Sequence, residues 1–209
     1  MQVNSESKQE SLLHIFATAI LAGMFIGIGG VAWVLCESKY VGAALFCVGL
    51  FTICQNQLWL FTGKIGYLVE QPNKPYLYRL ILTWVGNFIG ATLLAAIAAT
   101  ANGQIKELSC KIVQNRLIQS APKTITLSIL CGMLMFVAVD AFKNHSTIAG
   151  IMLGIPTFLL CGFEHCIADM FFFASWHIAS WEAIAHIVCV TLGNAIGSII
   201  VSMVVKRSD

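Results

Sequence analysis

This sequence has little charge. Asp, Glu, Lys and Arg make up 11% of the 209 residues, whereas soluble domains carry about 25%. So few charged groups cannot cover a water-facing surface, which excludes an ordinary soluble domain and makes lipid the expected surroundings. The net charge is only +2, so neither nucleic acid nor an acidic partner is implied. No nucleophile–base set and no phosphate-cradling loop appears, so the chain is read as a non-enzyme without a cofactor. Cys161, His165 and Cys166 are close together, yet no second Cys/His cluster completes four ligands, and no metal site is expected.

Cysteine is plentiful, at eight residues. All but Cys110 lie within or at the ends of apolar stretches, where a thiol serves as a small packing group. The first eleven residues are polar, short for a gating arm. The apolar run after them is too long for a signal peptide and ends in no cleavage signature, so it reads as a retained span. A spanning helix needs about 20 mostly apolar residues. Six segments qualify: about 12–35, 41–69, 77–101, 122–143, 147–174 and 181–205. The longest polar break runs from 102 to 122.

An even number of spans puts both termini on one side. Lys8, Lys74, Arg79, Lys143, Lys206 and Arg207 fall on that side, against Lys39, Lys106, Lys111, Arg116 and Lys123 on the other. This balance does not set orientation by positive charge. Cytoplasmic termini in a multi-pass inner (plasma) membrane protein are the expectation. Trp33, Trp84, Trp176 and Trp181 fit an interfacial belt, and Lys143 reads as a snorkelling lysine. His14, His145, His177 and His186 read as solvated or packed residues.

Gly86-Asn87-Phe88-Ile89-Gly90 in the third span recurs as Gly193-Asn194-Ala195-Ile196-Gly197 in the sixth. The fold expected is therefore all-α, a single domain over 1–209. Two halves of three spans, about 12–101 and 122–205, enter the membrane in opposite senses. In such folds the site lies where corresponding helices are interrupted. The second span holds Gln55-Asn56-Gln57 and then Leu60-Phe61-Thr62-Gly63-Lys64; the fifth holds Pro156 and then Cys161 to Cys166. Gly63, Lys64, Glu164 and Asp169 are the candidate break residues. Glu164 and Asp169 are expected to cap the half-helices. His165, polar at bilayer depth, is expected to face a pore.

The element Gly162-Phe163-Glu164-His165-x-x-Ala168-Asp169-Met170-Phe171 resembles the G-F-E-H-S-x-A-N-M-F signature of the formate/nitrite transporter family. Leu60-Phe61-Thr62-Gly63 resembles that family's E-L-F-T-G-N loop. Val190-Thr191-Leu192-Gly193-Asn194 and Ile129-Leu130-Cys131 resemble its V-T-L-G-N and I-L-C-N segments. The order agrees from about residue 12 to 205.

The resemblance implies a homopentamer of aquaporin-like protomers in a lipid bilayer, each with a pore for small monovalent anions such as formate, nitrite, hydrosulfide or lactate. It implies a central His165 with Thr62 in hydrogen-bond reach and Asn194 beside it. It further implies an inner ring of Leu50 and Phe158, an outer ring of Phe46 and Leu60, and an anion-attracting basic residue at Arg116, with Lys123 as the rival. The chain departs from the family at Trp59 (Glu), Lys64 (Asn), Gly132 (Asn), Met133 (Trp) and Asp169 (Asn). Lys64 and Asp169 are candidates to pair, and Gly132 would remove a polar pore contact.

Two hydrophobic rings about a histidine oppose anions but pass a neutral weak acid, while basic mouths and helix N-termini draw the anion in. Passage should therefore depend on pH. The alternative is a facilitator of water or a small polyol, although the aquaporin N-P-A pair is absent.

Overall fold

The computed structural model describes residues 10–205, which form nine α-helices and no strand. Lys8, Lys206 and Arg207, used above in the charge count, lie outside the described residues. Four helices are long and apolar enough to cross a membrane: α1 (Leu12–Leu35), α4 (Lys74–Ala101), α6 (Ala121–His145) and α9 (Trp181–Val205). Their starts carry local signals. Ser11 accepts from the His14 amide ahead of α1 at 3.1 Å, Asn73 accepts from the Tyr76 amide ahead of α4 at 2.9 Å, and Pro75 and Pro122 sit in first turns.

The other two apolar stretches are each split. The first gives α2 (Lys39–Gln55) and α3 (Phe61–Lys64), the latter continuing as a 3-10 turn over Ile65–Val69. The second gives α7 (Ala149–Leu160) and α8 (Cys166–Ser175). Both breaks use one backbone device. Gln57 takes φ 54° and the Leu58 amide reaches back to Ile53 O at 2.9 Å; Gly162 takes φ 69° and the Phe163 amide reaches back to Phe158 O at 2.8 Å. This six-residue back-bond around a left-handed residue is how helices commonly stop. The first interruption is therefore at residues 56–60. Gly63 and Lys64, expected at the break, lie inside α3.

The expected polar break at 102–122 contains a further helix, α5 (Gln104–Leu117). It buries Ile105, Ser109 and Val113, spaced four apart, and leaves Lys106, Glu107 and Lys111 outward.

α1 packs along α4, and α6 along α9, through glycines. A Cβ at Gly90 would collide with the Ile20 carbonyl, and one at Gly197 with the Ile129 carbonyl. Gly132 plays a like part: a Cβ there would collide with the Asn194 carbonyl. Gly132 is thus a helix-contact position. Leu45, Val48, Leu153 and Leu192 stand exposed on the outer faces, a surface suited to lipid or to other copies of the chain. All eight cysteines are free thiols.

Candidate functional site

Two buried asparagines hold the two breaks. Asn87 of α4 accepts from the Phe61 amide at 2.9 Å and donates to Trp59 O at 2.9 Å and Ala19 O at 2.7 Å. Asn194 of α9 accepts from the Cys166 amide at 2.9 Å and donates to Glu164 O and Ser128 O, both at 2.8 Å. Each amide thus satisfies the backbone that a broken helix leaves unpaired. Asn194, expected to line the passage, spends both amide protons on backbone carbonyls. It is the clamp of the second break. Asn87 was legible as its partner in the repeated motif, yet its role was missed.

His165 is the N-cap of α8: its Nδ1 accepts from the Ala168 amide at 3.2 Å. The expected caps, Glu164 and Asp169, do not serve this end. With Nδ1 occupied as an acceptor, the neutral ring carries its proton on Nε2, which lies 2.9 Å from Thr62 Oγ1. The two breaks therefore meet in a histidine–threonine hydrogen bond, and both side chains are buried. The Cys166 and Ala168 amides at the α8 start are consumed by Asn194 and His165.

Phe158 packs against the His165 ring at 5.8 Å between centroids. It also meets Phe46 edge-on at 5.6 Å. Leu50 and Leu60 are buried as well. The two rings expected as Leu50–Phe158 and Phe46–Leu60 are therefore joined, since the phenylalanine of one touches that of the other. On the side of the first break a cavity of about 460 Å³ reaches Leu60 and Gly63 and is lined by Lys64, Tyr67 and Lys143. Lys64 Nζ lies 4.8 Å over the Trp59 ring, and Lys143 Nζ lies 3.9 Å over Tyr67. Trp59 Nε1 donates to Glu10 at 2.7 Å.

Behind the second break lies a cluster of charge. Arg116 of α5 contacts Asp169 and lies 3.2 Å from Glu164 Oε2; Gln119 donates to Glu164 Oε1 at 2.9 Å. His186 Nε2 stands 3.7 Å from Glu164 and 3.6 Å from Asp169. Several expectations change here. Arg116 is 12% exposed and engaged with two carboxylates, so it is not an open-mouth charge. Lys123, its rival, is exposed at the start of α6. Asp169 pairs with Arg116, whereas Lys64 lies over Trp59 in the other break. His186, read as an ordinary histidine, is buried in the cluster. Its signal was its place on the α9 face that also carries Val190, Gly193, Asn194 and Gly197.

Residues 2–207 match the family model described as formate/nitrite transporter. The formate channel FocA of Haemophilus influenzae is 25% identical over 217 residues, covering 85% of this chain and 76% of that protein. The nitrite transporter NirC of Salmonella typhimurium is 27% identical, covering 90% and 80%. A solved pentameric formate channel with formate bound superposes with a TM-score of 0.78 at 22% identity, over 97% of this chain and 99% of that one. These relatives are channels or transporters by description, not enzymes.

Proposed function

Because this chain belongs to the formate/nitrite transporter family, and so is a multi-pass membrane protein, we propose that it conducts small monovalent anions of weak acids past His165. Formate, nitrite, hydrosulfide and short carboxylates such as lactate are the candidate substrates. The observation that carries this reading is the buried Thr62–His165 hydrogen bond, made where two broken helices meet among Leu50, Phe158, Phe46 and Leu60.

We read α2–α3 and α7–α8 as one interrupted crossing each, which makes six crossings. The Asn87 and Asn194 clamps support two halves of opposite sense within one domain. The pentamer is carried over from the solved formate channel, whose fold this chain shares. An inner (plasma) membrane position with cytoplasmic termini completes the proposal.

The chemistry follows from the local geometry. A bare anion in hydrocarbon faces a Born cost on the order of 20 kcal/mol. Lys64 and Lys143 raise the anion concentration in the cavity outside Leu60. Past Leu60, the neutral His165 ring donates through Nε2 to Thr62 Oγ1, which leaves the threonine proton to donate to the anion. A second proton on His165 would have to displace the Ala168 amide from Nδ1. The ring therefore polarises Thr62, and the proton that neutralises the anion comes from solvent. Flux should then rise as pH falls and the neutral acid becomes available.

The test is proteoliposome flux of formate, nitrite, hydrosulfide, acetate and lactate across a pH series, in wild type and His165→Phe. Loss of anion flux in the variant is expected; normal conduction at every pH would overturn the reading. Swelling with glycerol but not formate would instead establish the neutral-solute alternative.

A further inference from the structure

We infer that Glu164, Asp169 and His186 form, with Arg116, a buried proton-binding site that sets the charge beside the conduction route. The four groups come from four separate elements: α5, the second break, α8 and α9. Arg116 touches both carboxylates, and His186 Nε2 faces both, at 3.6 and 3.7 Å. The side chains are 0–12% exposed. Aromatic rings close the cluster: Phe172 lies 5.2 Å from the Arg116 guanidinium, and Phe173 stacks on His186 at 5.4 Å. Glu164 Oε2, both Asp169 carboxylate oxygens and His186 Nε2 make no hydrogen bond elsewhere among the described residues.

Counting charge gives the argument. Arg116 supplies one fixed positive charge against two carboxylates, so without a proton the cluster is net −1 in an apolar surround. Such an uncompensated charge is costly. One proton, held at His186 Nε2 between the carboxylates, makes the four corners alternate in sign and brings the net charge to zero. Asp169 creates the need, because it stands where the family signature has Asn.

The spacing would also suit a divalent cation, since one ligand atom from each of Glu164, Asp169 and His186 lies within 4.8 Å of the others. Arg116 already lies against both carboxylates and supplies the positive charge that a metal would bring. The structure therefore favours the proton. Other ionisable groups in electrostatic reach are the Cys131 thiol of α6, the Cys166 thiol and His165. Glu182, one turn earlier on α9, is exposed.

The cluster acts on the route through its position. Glu164 precedes His165 in the chain, and Asp169 lies in the first turn of the helix that His165 caps. With the proton bound, the cluster presents no net charge to a passing anion. When it leaves at higher pH, one negative charge appears beside the route and slows anions.

This inference rests on the conduction reading above, and the test separates the two. Formate flux is measured across a pH series and expressed as the ratio of variant to wild type, which removes the titration of formic acid itself. In Asp169→Asn/His186→Gln the extra carboxylate and the base are both gone. The ratio should rise about tenfold from low to high pH, the order of effect of one charge in a partly screened interior. His186→Gln alone should move the pH at which flux falls.

A second readout is independent of transport. The labelled His186 ring signal should titrate at the pH of the wild-type flux step, and the two should move together in Asp169→Asn. If wild type conducts and His165→Phe does not, while His186→Gln keeps the wild-type profile, only this inference falls. A stoichiometric divalent metal in purified protein, lost in His186→Gln, would also overturn it.

Discussion

The two breaks share a frame and differ in what they hold. Each stops a helix with a left-handed residue and a six-residue back-bond, and each hands its loose backbone to an asparagine of a long helix. The first break then presents Leu58 and Leu60, with Lys64 just beyond, toward a cavity that Lys143 also lines. The second presents Glu164, His165 and Asp169 and seals its carboxylates behind α5 against Arg116 and His186. The backbone solution is set by a shared need, since unpaired amides at this depth must find partners within the protein. The side chains beyond it are free to diverge. One break opens on a cavity lined by lysines and the other is closed by a buried ion cluster beside His165.

The sharpest way to break this comparison is to remove each clamp. Asn87→Leu and Asn194→Leu keep the side-chain shape but strip the partners from Phe61 N and Trp59 O in one case, and from Cys166 N and Glu164 O in the other. A buried polar group left without a partner costs about 1–3 kcal/mol. Each variant should therefore lose about 2–5 kcal/mol in unfolding measured in detergent, and the two losses should agree within about 1 kcal/mol. A loss confined to one asparagine would mean that the breaks are alike in outline only.

A smaller effect should follow at the single hydrogen bond that joins the breaks. Thr62→Val preserves the side-chain volume and removes the acceptor of His165 Nε2–H. One buried hydrogen bond is worth about 1 kcal/mol net. Formate flux in liposomes should fall about five- to tenfold, unfolding in detergent should lose about 1–3 kcal/mol because His165 Nε2–H is left unpaired, and Thr62→Ser should restore most of both. Wild-type flux in Thr62→Val would show that the bond between the breaks lies off the conduction route.

How much of this was readable beforehand depended on how local each cause was. The four long helices begin and end within about three residues of the apolar stretches, because capping residues and prolines mark their ends. The second break was legible in the Cys161–Cys166 stretch, which holds Gly162 and Glu164, whereas Asp169, also expected at the break, lies inside α8. The first was legible at Gln55-Asn56-Gln57, where Gln57 takes the positive φ, but it ends at Leu60, so Gly63 and Lys64, expected at the break, lie inside α3. α5 escapes a sequence reading because its buried stripe is only Ile105, Ser109 and Val113, one of them polar, on a charged helix. That Asp169 pairs with Arg116 and not with the candidate Lys64 has a different reason. Lys64 and Arg116 are both cations of the right kind, and only tertiary packing puts one against Asp169 and the other over Trp59. His186 needed the same information: its helical face could be read, but the carboxylates it meets come from two other elements.

The smallest expected effect concerns the cationic mouth. Lys64→Asn restores the family's residue in the α3 segment and removes one of the two lysines lining the cavity, while Lys143 remains. Anion entry should therefore fall only about two- to fivefold, measured as initial formate flux at low ionic strength. The deficit should fade at about 1 M salt, where the screening length is about 3 Å. Lys123 gives the control within the same molecule: it is exposed, lies outside that cavity, and should lose almost nothing as Lys123→Asn. The difference between the two lysines is what matters. A charge at the end of a low-dielectric cavity focuses its field on the anion, while a charge on an open surface is shared with solvent. Equal effects at Lys64 and Lys123 would mean that the first break adds general positive charge without a directed mouth, and the contrast with the sealed second break would lose its functional half.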